Sequence, residues 1–413
     1  MKKKLIIILG SGSSRPLGMP SVADLDREMR AWSAEWAARQ HCQDFFETVW
    51  LFAERYYNRL VYSNAPSVNY EKVLGELLAL SYWMTPGPSG NPLRLIACDG
   101  AAPPHFVFPF PDQHGPAVDL RVQLDELLVR LARCMRRRSL DLDVSTQTFQ
   151  QYAALFGALS SVFDLGVFNL NYDTAAVGAL PHAWTGFDSQ GRFQPNTVFD
   201  QQRWNFVYHL HGSVHFSLVA PNRGDICWKQ DLTGEFFDSD GAVGPEPRSD
   251  EMLFPKTTLL AGGFKLEQLL VDPFHSFHAA LVSKLYQADA VLIGGYGFGD
   301  AHVNHALRNR LMNSASRPPV VVLDRHVRGA WSMAKDLWDK NACRALFADG
   351  WHFVDKCPNQ VTSAPDGGHG VPLEVNDIHG VAQWNGGFAE AADQVEEILP
   401  WLLGAGTGEQ TMG

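Results

Sequence analysis

Apolar residues follow two patterns along this chain. Short unbroken runs, "LIIIL" at 5–9, "GVFNL" at 166–170, "AVLIGG" at 290–295 and "PVVVLD" at 319–324, read as strands buried on both faces. A fifth, shorter candidate is "FVYHLHG" at 206–212. Between the first run and the second, the spacing turns helical. The stretch 21–36 opens on Ser21 and is built of helix formers, and 69–84 and 124–138 place apolar residues on one helical face. Pro- and Gly-rich segments at 86–92 and 100–116 separate these helices and read as loops. Buried strands alternating with helices predict a parallel sheet covered on both sides.

After the last strand, 357–380 reads as a loop, followed by an amphipathic helix, "FAEAADQVEEILPWLL", and a disordered tail. The pattern therefore predicts an α/β, Rossmann-like parallel sheet with a long helical insertion after the first strand. The expected division is one domain over 1–355 and a C-terminal loop, helix and tail over 356–413. Within the domain, the core takes 1–25 and 160–345 and the insertion 26–155.

Composition narrows the choice. A net charge of -11 over 413 residues argues against a general nucleic-acid binder, which needs a basic surface. The six cysteines (Cys42, Cys98, Cys134, Cys227, Cys343, Cys357) contain no CxxC pair, so neither a zinc pattern nor a disulfide framework is expected. The opening "MKKKLIIILG" is too short in its apolar part for a signal peptide, and no stretch approaches the roughly 20 apolar residues of a membrane span. The expectation is a soluble, cytoplasmic protein.

Five motifs carry candidate chemistry. The first strand runs into Gly10-Ser11-Gly12-Ser13-Ser14 and a helix follows Gly18-Met19-Pro20; this is either a phosphate-approach loop or a tight glycine turn. Asn171 and Asp173 follow the second strand, where side chains enter a ligand crevice, although both are also common caps. His209 and His211 alternate about Leu210 and end at Gly212; His211 is a candidate general base, and a satisfied core histidine is the alternative. Gly294, Gly295, Tyr296, Gly297 and Gly299 form a second Gly-rich turn before a helix that Asp300 would cap. Asp324 closes "VVVLD", where a strand-end acid accepts from a ribose hydroxyl. The arginines of 130–138 read as a solvated helix face, with a docking surface as the alternative.

The order of these motifs resembles the NAD-binding domain of sirtuins, over roughly 1–25 and 160–330. Asn171-Tyr172-Asp173 is similar to that family's QNxD, Leu210-His211-Gly212 to its LHG, and Gly18-Met19-Pro20 to its GIP. Gly294-Gly295-Tyr296 is similar to its GTS loop only loosely. Deacetylase sirtuins carry two CxxC pairs after the LHG, whereas this interval holds Cys227 alone, so no zinc is expected. The wording looks more like the bacterial sirtuin-like proteins of anti-phage defence, which hydrolyse NAD+.

That resemblance implies a role for each candidate. Asn171 would orient the ribose and water, Asp173 would hold the nicotinamide end, and His211 would be the base. Gly10, Ser11, Gly12, Ser13, Pro20, Gly294, Gly295 and Tyr296 would surround the dinucleotide, with Asp324 on the adenosine ribose. It implies an NAD+ glycohydrolase gated by homo-oligomerisation or by a partner, such as a HerA-type ATPase or an Argonaute-like protein. A zinc-free deacylase or ADP-ribosyltransferase and a non-enzymatic NAD or ADP-ribose sensor are the rival readings.

Overall fold

The computed structural model describes residues 2–59, 68–84, 116–220, 223–240, 256–262, 269–312, 317–324, 346, 374–376, 381–384 and 386–404. The predicted loops at 86–92 and 100–115, most of 357–380 and the tail beyond residue 404 lie outside them. In chain order, β1 (Lys3–Leu9) leads through short helical turns at Ser11–Ser14 and Arg15–Leu17 into four longer helices among the described residues: α1 (Val22–Gln40), α2 (Phe45–Arg59), α3 (Tyr70–Met84) and α4 (Pro116–Leu140). Then come α5 (Gln147–Val162), β2 (Phe163–Asn169), α6 (Ala175–Ala179), β3 (Phe206–His209), and the hairpin β4 (Phe216–Ala220) and β5 (Arg223–Trp228). The chain continues through α7 (Phe274–Gln287), β6 (Ala290–Gly294), α8 (Ala301–Met312) and β7 (Val320–Leu323). It closes with β8 (Glu374–Asn376), β9 (Val381–Trp384) and α9 (Val395–Leu402).

Seven strands form one sheet in the order β3-β2-β1-β6-β7-β9-β8. All neighbours are parallel except β8, which runs antiparallel to β9. The "LIIIL" run sits at the centre of this sheet, and each of its residues is fully buried, because both faces are covered. On one face Ile6, Ile8, Phe168, Tyr208, Val291 and Ile293 pack with Phe277 and Leu281 of α7 and Leu307 of α8. On the other, Leu5, Ile7, Val167, Leu292 and Val321 pack with Tyr152 and Phe156 of α5 and Trp401 of α9. The predicted α/β class and Rossmann-like layering are what is found.

Two boundaries differ from the sequence reading. Helix α5 packs on β2 and the sheet face, so the helical insertion proper is α1 to α4. The C-terminal region supplies strands β8 and β9, whose pairing with β7 extends the sheet beyond Asp324. These strands are three and four residues long, too short to announce themselves by periodicity.

The insertion has its own core. Met29, Trp36, Phe45, Leu74, Leu124 and Leu131 cluster with Tyr172, Val214 and Leu259, which belong to loops at the carboxyl end of the sheet. A Ser21–Asp24 capping box starts α1, fixing where the chain leaves the β1 loop. The insertion is thereby seated over one end of the sheet.

Candidate active site

Strand order locates the site before any side chain is considered. From β1 the chain steps to β2 and β3 on one side, and β6, β7 and β9 lie on the other. The reversal falls between β1 and β6, the position where open α/β sheets bind ligands beyond their carboxyl ends. The register aligns Leu9 with both Asn169 and Gly294, so the loops after β1, β2 and β6 leave the sheet side by side.

The β1 and β6 loops meet backbone to backbone. Gly10 N donates to Gly294 O and Gly12 N to Gly295 O, each at 2.9 Å. A Cβ on Gly10 would stand 2.6 Å from Tyr296 Cα, and one on Gly12 2.8 Å from Gly295 Cα. Gly295 sits at φ +58°, and a Cβ there would meet Ser13 N at 2.1 Å. This loop-to-loop contact requires glycine at all three positions, whatever else binds nearby.

Asn171 ties the β2 loop to the same structure. Its Nδ2 lies 3.0 Å from Gly10 O, 3.1 Å from Ser13 Oγ and 2.8 Å from Ser14 Oγ. Its own N–H donates to Asn169 Oδ1 at 3.0 Å. Asp173, 2% exposed, accepts from the Ala175 N–H at 2.9 Å. Burial pushes the Asp173 carboxyl above its usual range, opposed by the Ala175 N–H and the Ser14 hydroxyl. Asp173 thus makes a local turn bond ahead of α6, whose N-cap is Thr174, while it still lines the cavity.

Strand β3 ends at His209, so the alternation expected through Gly212 stops three residues early. His209 stays buried with Nδ1 3.2 Å from Asn171 O, and burial drives its pKa down to about 3. His211 lies beyond the strand. Its Nε2 is 2.8 Å from Asp300 Oδ2. Gly212, at φ +102°, makes room for Thr258 O, which a Cβ would meet at 2.2 Å.

Gly10, Ser11, Ser14, Asn171, Asp173 and His211 line a cavity of 230 Å³ together with Met19, Pro20, Tyr296 and Asp300. The opposite wall comes from the insertion, through Val22, Leu25, Tyr70, Glu71 and Met135. At this volume the space lies below the roughly 300 Å³ at which small-molecule pockets start. Among the described residues, its ionisable lining is three carboxylates, one histidine and three tyrosines, with no lysine or arginine. Among the described residues, no group of His, Cys, Asp or Glu is placed to hold a metal, and no helix is long and apolar enough to cross a membrane.

Gly12, Ser13, Gly294 and Gly295 support this cavity without lining it. Asp324 is not brought to it: its N–H donates to Trp384 O and its carbonyl accepts from Gly387 N, because β9 lies alongside. The sequence reading passed over Tyr70, Glu71 and Met135, whose place depends on how the insertion folds back. Asp300 was read only as a cap. It is one, since Oδ1 accepts from the N–H groups of His302 and Val303, and it also reaches His211.

Residues 166–346 match the SIR2-like domain. The matched stretch includes Asn171, Asp173, His211 and Asp300 and begins after the β1 loop. Among solved structures, a Sir2 enzyme studied for mechanism and regulation aligns over 83% of this chain and 93% of its own, at 11% identity and a TM-score of 0.32. A Sir2 homolog–NAD complex aligns over 83% of this chain and 90% of its own, at 12% identity and a TM-score of 0.35. Likenesses this distant carry no argument about chemistry. No curated protein matches the chain.

Proposed function

We propose that the chain is an NAD+ glycohydrolase, releasing nicotinamide and ADP-ribose. The observation that carries this reading is the meeting of Asn171, Asp173 and His211 in one carboxylate-rich cavity at the switch point of the sheet. The nicotinamide ring of NAD+ is cationic, and its departure leaves positive charge on the ribose. Preorganised carboxylates in a space shielded from water stabilise such charge. In the reaction, the C1′–N bond breaks with its electron pair passing to nicotinamide. Water oxygen bonds C1′, and its proton goes to His211. Asn171, fixed by its amide nitrogen to the β1 loop, offers its amide oxygen to the ribose or the water.

The insertion wall of Tyr70, Glu71 and Met135 supports water, rather than a bulky acyl-lysine, as the acceptor. We assign the activity to anti-phage defence by depletion of NAD+, gated by self-association or by a partner such as a HerA-type ATPase or an Argonaute-like protein. The test is incubation with NAD+ and an acetylated peptide, with the protein's mass in solution recorded. Equal yields of nicotinamide and ADP-ribose, with the peptide untouched, are expected. O-acetyl-ADP-ribose would identify a deacylase instead, and full turnover by a monomer alone would contradict the gating.

A further inference from the structure

A histidine base works only if the right ring nitrogen keeps its lone pair, and a free imidazole interconverts its two tautomers. Here a carboxylate chooses between them. The side chains of His211 and Asp300 are 9% and 8% exposed, and Nε2 meets Oδ2 at 2.8 Å. Asp300 is itself held at three points. Its Oδ1 accepts from His302 N at 3.1 Å and Val303 N at 3.4 Å. Tyr296 Oη donates to its carbonyl at 3.0 Å, and its N–H lies 3.2 Å from the same hydroxyl.

The neighbouring groups leave this pairing in place. The His278 ring lies 6.4 Å from that of His211, and the His302 ring 6.3 Å from that of His278. His278 Nε2 is 3.2 Å from Leu210 O, and burial, with His211 beside it, takes its pKa down to about 4, so it adds no positive charge near neutrality. Tyr70, Tyr172, Tyr296, Glu71 and Asp173 are the other titratable groups among the described residues that line the cavity.

We propose that Asp300 is the positioning residue of His211: it accepts from Nε2–H and leaves Nδ1 as the proton acceptor. An ionised carboxylate can only accept, so the shared proton belongs to Nε2. The proposal rests on the reading of His211 as base, and adds that the base is assembled by the β6 loop. That loop is the one whose Gly295 packs on Gly12 of the β1 loop.

Asp300→Asn tests this sharply. The N–H groups of His302 and Val303 require an acceptor, so the amide oxygen takes the place of Oδ1 and the NH2 faces His211. The imidazole must then accept at Nε2, and its proton moves to Nδ1. Asn caps helices as well as Asp does, so the start of α8 is kept. Long-range proton–nitrogen-15 spectra of the histidine-labelled full chain, with His211→Gln for assignment, read the tautomer directly. The expected result is Nε2–H in the natural protein and Nδ1–H in Asp300→Asn, with similar melting temperatures. The same tautomer in both overturns the proposal. In the NAD+ assay, Asp300→Asn is expected to lose about 100-fold in kcat with KM changed by less than about threefold. A tautomer switch with full turnover removes His211 as the base while the pairing stands, so the two failures are told apart.

Discussion

His209 and His211 are two residues apart, yet the fold gives them opposite surroundings. His209 faces the aromatic rings of Phe216 and Trp228, and its buried Nε2 takes no hydrogen bond among the described residues. A proton there would bury an unpaired charge, which is why its pKa falls to about 3. The stability consequence has a definite sign. Above pH 6.5 both folded and unfolded chains hold His209 neutral. Between 6.5 and about 3 only the unfolded chain takes the proton, so stability falls with pH by about 1.4 kcal/mol per unit. His215 and His278 are shifted in the same direction by burial. Urea unfolding at several pH values is expected to show His209→Gln losing one proton's share of this slope. An unchanged slope would contradict the assignment.

At the scale of elements, the insertion is tied to the site by α4. Arg136 makes an ion pair with Asp238, lies 3.3 Å from Val214 O and stacks 3.7 Å from the Phe236 ring centre. Arg130 pairs with Glu35 and Glu126, and Arg138 with Glu28. Of the arginine run, Arg136 is buried, Arg130 and Arg138 are half-buried in ion pairs, and Arg133 and Arg137 are exposed. Arg136→Met leaves Asp238 buried without its cation and is expected to cost about 3–5 kcal/mol in urea unfolding, most of it recovered in the double variant with Asp238→Leu. A single variant as stable as the parent would show that the pair does not hold the insertion. Strands β1, β2, β6 and β7 were legible because runs buried on both faces have no polar alternation to disguise them. The site was legible only where its residues follow a strand directly, as Asn171 and Asp173 do. Asp300 and His211 follow different strands and meet only in the fold, a pairing with no local signal in the sequence.

For the whole molecule, the sheet's switch point, the insertion and the β6 loop close on one small cavity. The chain's net charge of -11 continues the sign of that cavity's lining, which favours a cationic group inside it over a bare phosphate. The most direct measurement is nicotinamide release from NAD+ by the full chain beside Asn171→Ala and His211→Ala, with NAD+ binding measured for each. Turnover is expected in the parent, with a loss of at least about 100-fold in both variants and binding retained in His211→Ala. Turnover that survives both substitutions, or a parent that does not bind NAD+, would contradict the proposed cleavage of NAD+ in this cavity.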